Sequence, residues 1–160
     1  MPTAPMIQPQ PDQDPQNFRI DSEGRWFHDG QPIAREALVV LFAHRGLKRD
    51  AQGRYWLQSP YEKYRVEVED VPFIVTDYDI SEKEFVLTTN IGEKVRVTPD
   101  NPLELRSYKG AENKIPYIHV REGLYARIGR AVYYELALKY GESVTVNGHA
   151  YKFAETLDDS

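Results

Sequence analysis

At 160 residues the chain is sized for about one domain and can bury a core without covalent staples. It has no cysteine, which excludes thiolate catalysis, zinc–thiolate sites and iron–sulfur clusters, and its formal net charge of −5 opposes binding to a long nucleic acid. The longest purely apolar run, Ala37 to Ala43, is far short of a bilayer span, and the first residues lack the basic and apolar regions of a secretory signal, so a cytoplasmic protein with no membrane partner is expected.

Met1 to Asn17, "MPTAPMIQPQPDQDPQN", is rich in Pro and Gln and has no basic residue. Such a composition does not bury enough apolar surface to offset ordering, and a disordered lead is expected over 1–17. The folded part then divides into an N-terminal subdomain, 18–70, and a C-terminal one, 71–160. Two heptads of one design follow, "DSEGRWF" at Asp21 and "DAQGRYW" at Asp50. Each predicts a hairpin in which Asp folds back on the turn amides and Gly supplies a positive φ, with turns at Ser22-Glu23-Gly24 and Ala51-Gln52-Gly53. Between them "PIAREALVVLFAHRG" predicts a largely buried helix that begins at Pro32 and closes at Gly46.

Further along, "YRVEVEDVPFIVTDYDI", "KEFVLTTNIGEKVRVTP" and "LELRSYKG" alternate with period two and predict strands, with a turn at Asn90-Ile91-Gly92. "LYARIGRAVYYELALKYG" predicts a second helix ended by Gly141, and "SVTVNGHAYKF" a hairpin turning at Asn147-Gly148. Superposing the two helix-hairpin segments pairs Ile33 with Ile128, Arg35 with Arg130, Leu41 with Leu136 and Gly53 with Gly148 at one constant offset. An internal duplication is the best single account of those pairs. The expected class is α+β, with two helices among mostly antiparallel strands.

"WFHDGQPIAREALVVLFAHRGL", "GRYWLQSPYEKYRVEVEDVPF" and "YARIGRAVYYELA" together resemble the bacterial family of domain of unknown function 1285, from about Phe18 to near the C-terminus. The resemblance implies a two-part fold with an internal duplication and a C-terminal part superficially like a pleckstrin-homology domain. It also implies a ligand site between the parts, a nucleotide-like ligand and a signalling role, without an established activity.

Among the residues themselves, no hydrolase elbow, P-loop, dinucleotide fingerprint or paired-histidine metal motif is present, so neither an enzyme nor a cofactor is expected. Glu67, Glu69 and Asp70 could bind a cation or pair with arginines, or simply form the wet face of a strand. On a helix, Arg127, Arg130 and Tyr134 would share one face, and Arg35 takes the place of Arg130 in the first copy. The candidate ligand-binding set is therefore Arg35, Glu62, Glu69, Asp70, Arg127, Arg130 and Tyr134, with an anion held between Arg35 and Arg130. The alternative open at this point is that these arginines pair with Glu62, Glu69, Asp70 or Glu135 as structural fasteners. The expected function is a small-ligand-binding module for an anionic, nucleotide-like ligand; the second hypothesis is a protein-interaction adaptor with a protein partner.

Overall fold

A computed structural model describes residues 17–154 of the chain, so the expected lead, except Asn17, and the last six residues lie outside the described part. The described residues form an α+β fold of fourteen strands and two α-helices, divided into two compact units. The first unit runs to Pro72 and takes in Glu122–Leu124; the second comprises Phe73–Arg121 and Tyr125 onward.

In the first unit β1 (Phe18–Ile20), β2 (Trp26–His28) and β3 (Gln31–Pro32) form one meander, and β4 (Leu47–Arg49), β5 (Tyr55–Gln58) and β6 (Lys63–Val68) form another. The meanders join where β1 and β6 pair in parallel, Phe18 opposite Val66 and Ile20 opposite Val68, giving the order β3-β2-β1-β6-β5-β4. Period-two alternation then sends Phe18, Ile20, Trp26, Leu47, Leu57 and Val66 into one buried layer. Both predicted turns are in place, with Gly24 at φ 79° and Gly53 at φ 86°.

The first predicted helix is corrected in two respects. Pro32 belongs to the edge strand β3, where its missing N–H costs no ladder bond, and helix α1 spans only Glu36–Leu41 before a π-helical turn, Phe42–Gly46. None of the α1 residues is buried. Two consecutive β-branched residues, Val39 and Val40, weaken a helix of this length, and burial passes instead to Ala43 and Gly46 in the π-turn. A Cβ on Gly46 would lie 2.6 Å from Leu57 Cδ1 and 3.3 Å from Gln58 O, so a larger residue would have to displace the Leu57 side chain for that turn to settle on β5.

The second unit repeats the connectivity. Strands β7 (Phe73–Ile80), β8 (Phe85–Thr89), β9 (Lys94–Arg96), β10 (Glu104–Arg106), β11 (Ile115–Arg121) and β12 (Leu124–Ile128) form the order β10-β11-β12-β7-β8-β9. Again the first and last strands pair in parallel at the centre, Ala126 opposite Phe73 and Ile128 opposite Val75. Turn residue Asn90 fastens its hairpin to β7: its N–H donates to Ile74 O at 2.8 Å, and its Oδ1 accepts from Ile74 N–H at 3.1 Å. The edge strands of both sheets are two or three residues long, and three of the four carry exposed or half-exposed charges such as Lys48, Lys94, Arg96 and Arg106. Such edges resist pairing with a foreign strand.

The second predicted helix is corrected at its start. Leu124 to Ile128 is strand β12, and helix α2 spans Arg130–Tyr140. Leu124, Ala126 and Ile128 are buried at alternate positions and complete a parallel pair, which outweighs the helical reading of the same residues. Gly129 is the N-cap, and its N–H donates to Val75 O at 3.0 Å. Gly141 ends the helix, and β13 (Ser143–Val146) and β14 (His149–Lys152) turn at Asn147 and Gly148, both at positive φ. Of the residue pairs at constant offset, Gly53 and Gly148 both lie at positive φ in hairpin turns, but Gly53 sits in the longer loop between Arg49 and Tyr55 and Gly148 in the tight turn between Val146 and His149, and Leu41 is 50% exposed whereas Leu136 is fully buried.

Two glycine substitutions separate conformational from steric constraint. Gly53→Ala should cost about 1 kcal/mol, because alanine must adopt a left-handed φ there. At Gly129 a Cβ would stand 2.8 Å from Val75 O, so Gly129→Ala should cost more, about 2–3 kcal/mol. Urea denaturation of both variants checks the order; equal, small losses would refute it.

Candidate functional site

The two heptads place their tryptophans on opposite faces of one sheet. Asp21 accepts from the Glu23 and Arg25 amides, both at 2.9 Å, and from Arg25 Nε at 2.8 Å; Asp50 accepts in the same way from Gln52, Arg54 and Arg54 Nε. In the first heptad Trp is the sixth residue and in the second the seventh. With a side-chain period of two, that single step turns Trp26 into the core beside Phe42 and turns Trp56 to the other face. Trp56 Nε1 donates to Asp50 Oδ2 at 2.9 Å, while Trp26 Nε1 is buried with no acceptor.

Around Trp56 the register assembles cations. Lys48 on β4 and Arg65 on β6 stand directly opposite Trp56, Lys63 lies two residues from Arg65 on the same face, and Arg54 lies two residues before Trp56. Lys63 Nζ is 4.4 Å from the indole centroid, and the guanidinium carbons of Arg65 and Arg54 are 5.7 and 5.9 Å away. Each such contact contributes about 0.5–2 kcal/mol, depending on desolvation. Together they cover the ring, which is 5% exposed. Asp50 is engaged by Arg54 and Trp56, and among the described residues neither Lys48 nor Lys63 has an ion-pair partner. The next row of the same face carries Arg19, whose guanidinium lies 4.2 Å over the Phe27 ring, with Glu67 opposite it on β6.

The residues singled out from the sequence fall in both units, Arg35, Glu62, Glu69 and Asp70 in the first and Arg127, Arg130 and Tyr134 in the second. Arg35 is the exposed N-cap of α1, and Glu62 lies exposed in the loop between β5 and β6. Glu69 has a structural task, accepting the Ser22 N–H at 2.7 Å. Asp70 is half-buried just after β6 and is engaged by a partner. Arg127 lies on β12, 5% exposed, with its guanidinium 4.2 Å over the Tyr108 ring. Arg130 and Tyr134 are exposed on α2, one turn apart. The expected helical face of Arg127, Arg130 and Tyr134 is therefore not formed, because the chain is extended up to Ile128.

The second unit contains a cavity of about 220 Å³ between β7 and α2, lined by Asp77, Tyr78, Asp79, Ile80, Glu135, Lys139 and Tyr140. Three carboxylates against one lysine make it unsuited to an anion. Burial, and then the neighbouring Glu135, push the Tyr78 phenol up to about 12. Among the described residues no group of three or more His, Asp or Glu is placed to hold a metal ion, and no helix is long and apolar enough to cross a membrane.

Two family models cover nearly the whole chain: "Domain of unknown function (DUF1285), N-terminal domain" matches residues 4–71, and "Protein of unknown function (DUF1285), C-terminal domain" matches residues 72–153. Among solved structures, the chain is similar to a DUF1285 family protein from Silicibacter pomeroyi DSS-3, at 29% identity and TM-score 0.77, covering 90% of this chain and 82% of that one. It is also similar to a DUF1285 family protein from Shewanella baltica OS155, at 25% identity and TM-score 0.60, covering 79% and 94%. No curated protein matches the chain.

The Asp50 turn gives a pH signature. The Trp56 indole N–H first, then the Arg54 amide and guanidinium, hold the Asp50 carboxyl well below its ordinary value of 3.8. A carboxylate depressed in the folded state stabilises the fold above that ordinary value, and its contribution is lost as the pH falls below it. Wild-type urea midpoints should therefore fall below about pH 4, and Asp50→Asn should start lower at neutral pH and flatten the curve in that range. Parallel curves would remove the turn's electrostatic role.

Proposed function

The chain belongs to the DUF1285 family, and from that premise we propose that it is a non-catalytic module binding a small anionic, nucleotide-like ligand, with a signalling role. One observation supports this reading above the rest: four cations, Lys48, Arg54, Lys63 and Arg65, gather around the Trp56 indole in a chain of net charge −5. Such a set concentrates positive potential where the overall field is negative, and two of its lysines form no ion pair among the described residues. A phosphate or carboxylate seated beside them relieves their mutual repulsion, and a base could stack against the aliphatic and guanidinium planes that cover the ring. The reading moves the anion from the Arg35 and Arg130 pair, which sits in two separate units, to a single sheet.

The same proposal takes the two units as diverged copies. Their sheets share one strand order with a parallel central pair, which supports a duplication based on the sheet rather than on the helix-hairpin offset. Helix α2 following the second sheet supports the pleckstrin-homology-like reading of that unit.

A thermal-shift screen of nucleoside mono-, di- and triphosphates and inorganic phosphate tests the function, since a ligand that binds the folded state raises its melting temperature. At saturating nucleotide a rise of several degrees is expected. Lys48→Ala should remove most of it while leaving the ligand-free melting temperature almost unchanged, and Lys63→Ala should remove most of it while lowering that temperature by about a few degrees, because it also loses a cation–π contact with Trp56. If no anion shifts the transition, the function is wrong. Loss of the shift in Arg35→Ala or Arg130→Ala, with both lysine variants unaffected, would instead place the anion at those arginines and refute the Trp56 face.

A further inference from the structure

Glu67 is a lone carboxylate on the face that carries the cations. It lies two residues beyond Arg65 on β6, so its side chain shares the side of the sheet with Lys63, Arg65 and Trp56. Arg19 is directly opposite it on β1, and because Tyr55 pairs with Val66, Arg54 comes next to it on the β5 side. A carboxylate set between two arginines ordinarily pairs with one of them. Here both are held elsewhere. The Arg19 guanidinium lies 4.2 Å over the Phe27 ring, and Arg54 donates to Asp50 at 2.9 Å and to Gln52 Oε1 at 3.2 Å. Among the described residues no hydrogen bond or ion pair engages the Glu67 carboxylate, which is exposed.

The face therefore has a direction. Lys63 lies four residues before Glu67, about 13 Å along the strand, and the row between them holds Lys48, Trp56 and Arg65. Positive charge without an ion-pair partner stands at one end, and an open acceptor stands at the other.

We propose that Glu67 reads the base of the bound nucleotide and selects guanine, an inference that rests on the Trp56 face being the anion site. The carboxylate repels a phosphate, which seats toward Lys48 and Lys63 and leaves the far end of the ligand to meet Glu67. The length between them suits an extended nucleoside monophosphate. Two carboxylate oxygens accept best from two parallel donors. Guanine presents such a pair in its ring N1–H and its 2-amino group. Adenine and cytosine set one donor beside a ring-nitrogen lone pair that the carboxylate repels, and uracil sets one donor between two carbonyl oxygens. The guanidinium planes of Arg19 and Arg54 flank the same position and offer a stacking surface to the base.

Isothermal titration calorimetry of the full chain with GMP, IMP, AMP and inorganic phosphate tests the assignment. The wild type should bind GMP at least about tenfold more tightly than AMP, with IMP, which lacks the 2-amino group, between them. Glu67→Gln should bring GMP and AMP to nearly equal affinity, with the ligand-free melting temperature unchanged because the residue is exposed. Lys48→Ala should weaken both nucleotides and keep their ratio. Equal binding of GMP and AMP by the wild type, or a preference for GMP that survives Glu67→Gln, would overturn the guanine assignment and leave the anion site standing. If neither the nucleotides nor phosphate bind, the anion site itself is wrong and the role of Glu67 falls with it.

Discussion

Both units depend on one long-range pairing, the parallel contact between the first and last strands of each sheet. β1 meets β6, and β7 meets β12. Every other ladder is a local antiparallel hairpin or meander that a turn can set by itself. The central pair has no turn to set it. It forms because Phe18, Ile20 and Val66 in one sheet, and Phe73, Val75, Ala126 and Ile128 in the other, are buried together at matched register. A slip of one residue would turn those side chains to the opposite face.

That pairing also decides the chemistry of the first sheet. Once β6 is anchored by β1, the β4-β5-β6 meander must present Lys48, Trp56, Lys63 and Arg65 on the face away from the core. The Asp50 turn then fixes the indole through its N–H and fixes Arg54 beside it. The arrangement is thus a consequence of register and one Asx-type turn, and any ligand placed there meets groups held by the sheet rather than by a loop.

Much of this was legible in the chain. The turns at Gly24, Gly53, Asn90 to Gly92 and Asn147-Gly148 were readable because their residue types answer to local backbone sterics, and the φ values at the glycines follow. Membership of the family was readable from the segments around Glu62 to Phe73 and Arg127 to Leu136. The candidate site was less so. Lys63 and Arg65 alternate visibly, but their convergence on Trp56 depends on which residues face each other across three strands. Reading Arg127, Arg130 and Tyr134 as one helical face failed because 124–128 satisfies both a helical and an alternating pattern, and only strand β7 decides between them.

By itself, the sequence determined the α+β class, the hairpin turns, the helix end at Gly141 and the absence of thiol chemistry, since each rests on properties of a few neighbouring residues or on composition. The tertiary structure alone decided where α2 begins, that α1 stays outside the core, and which of two related tryptophans is buried among aromatics and which among cations. Those outcomes are competitions between local preference and the burial of distant partners. Gly129 marks the point where one such competition ends, because only a residue without a side chain fits against Val75 where strand passes into helix.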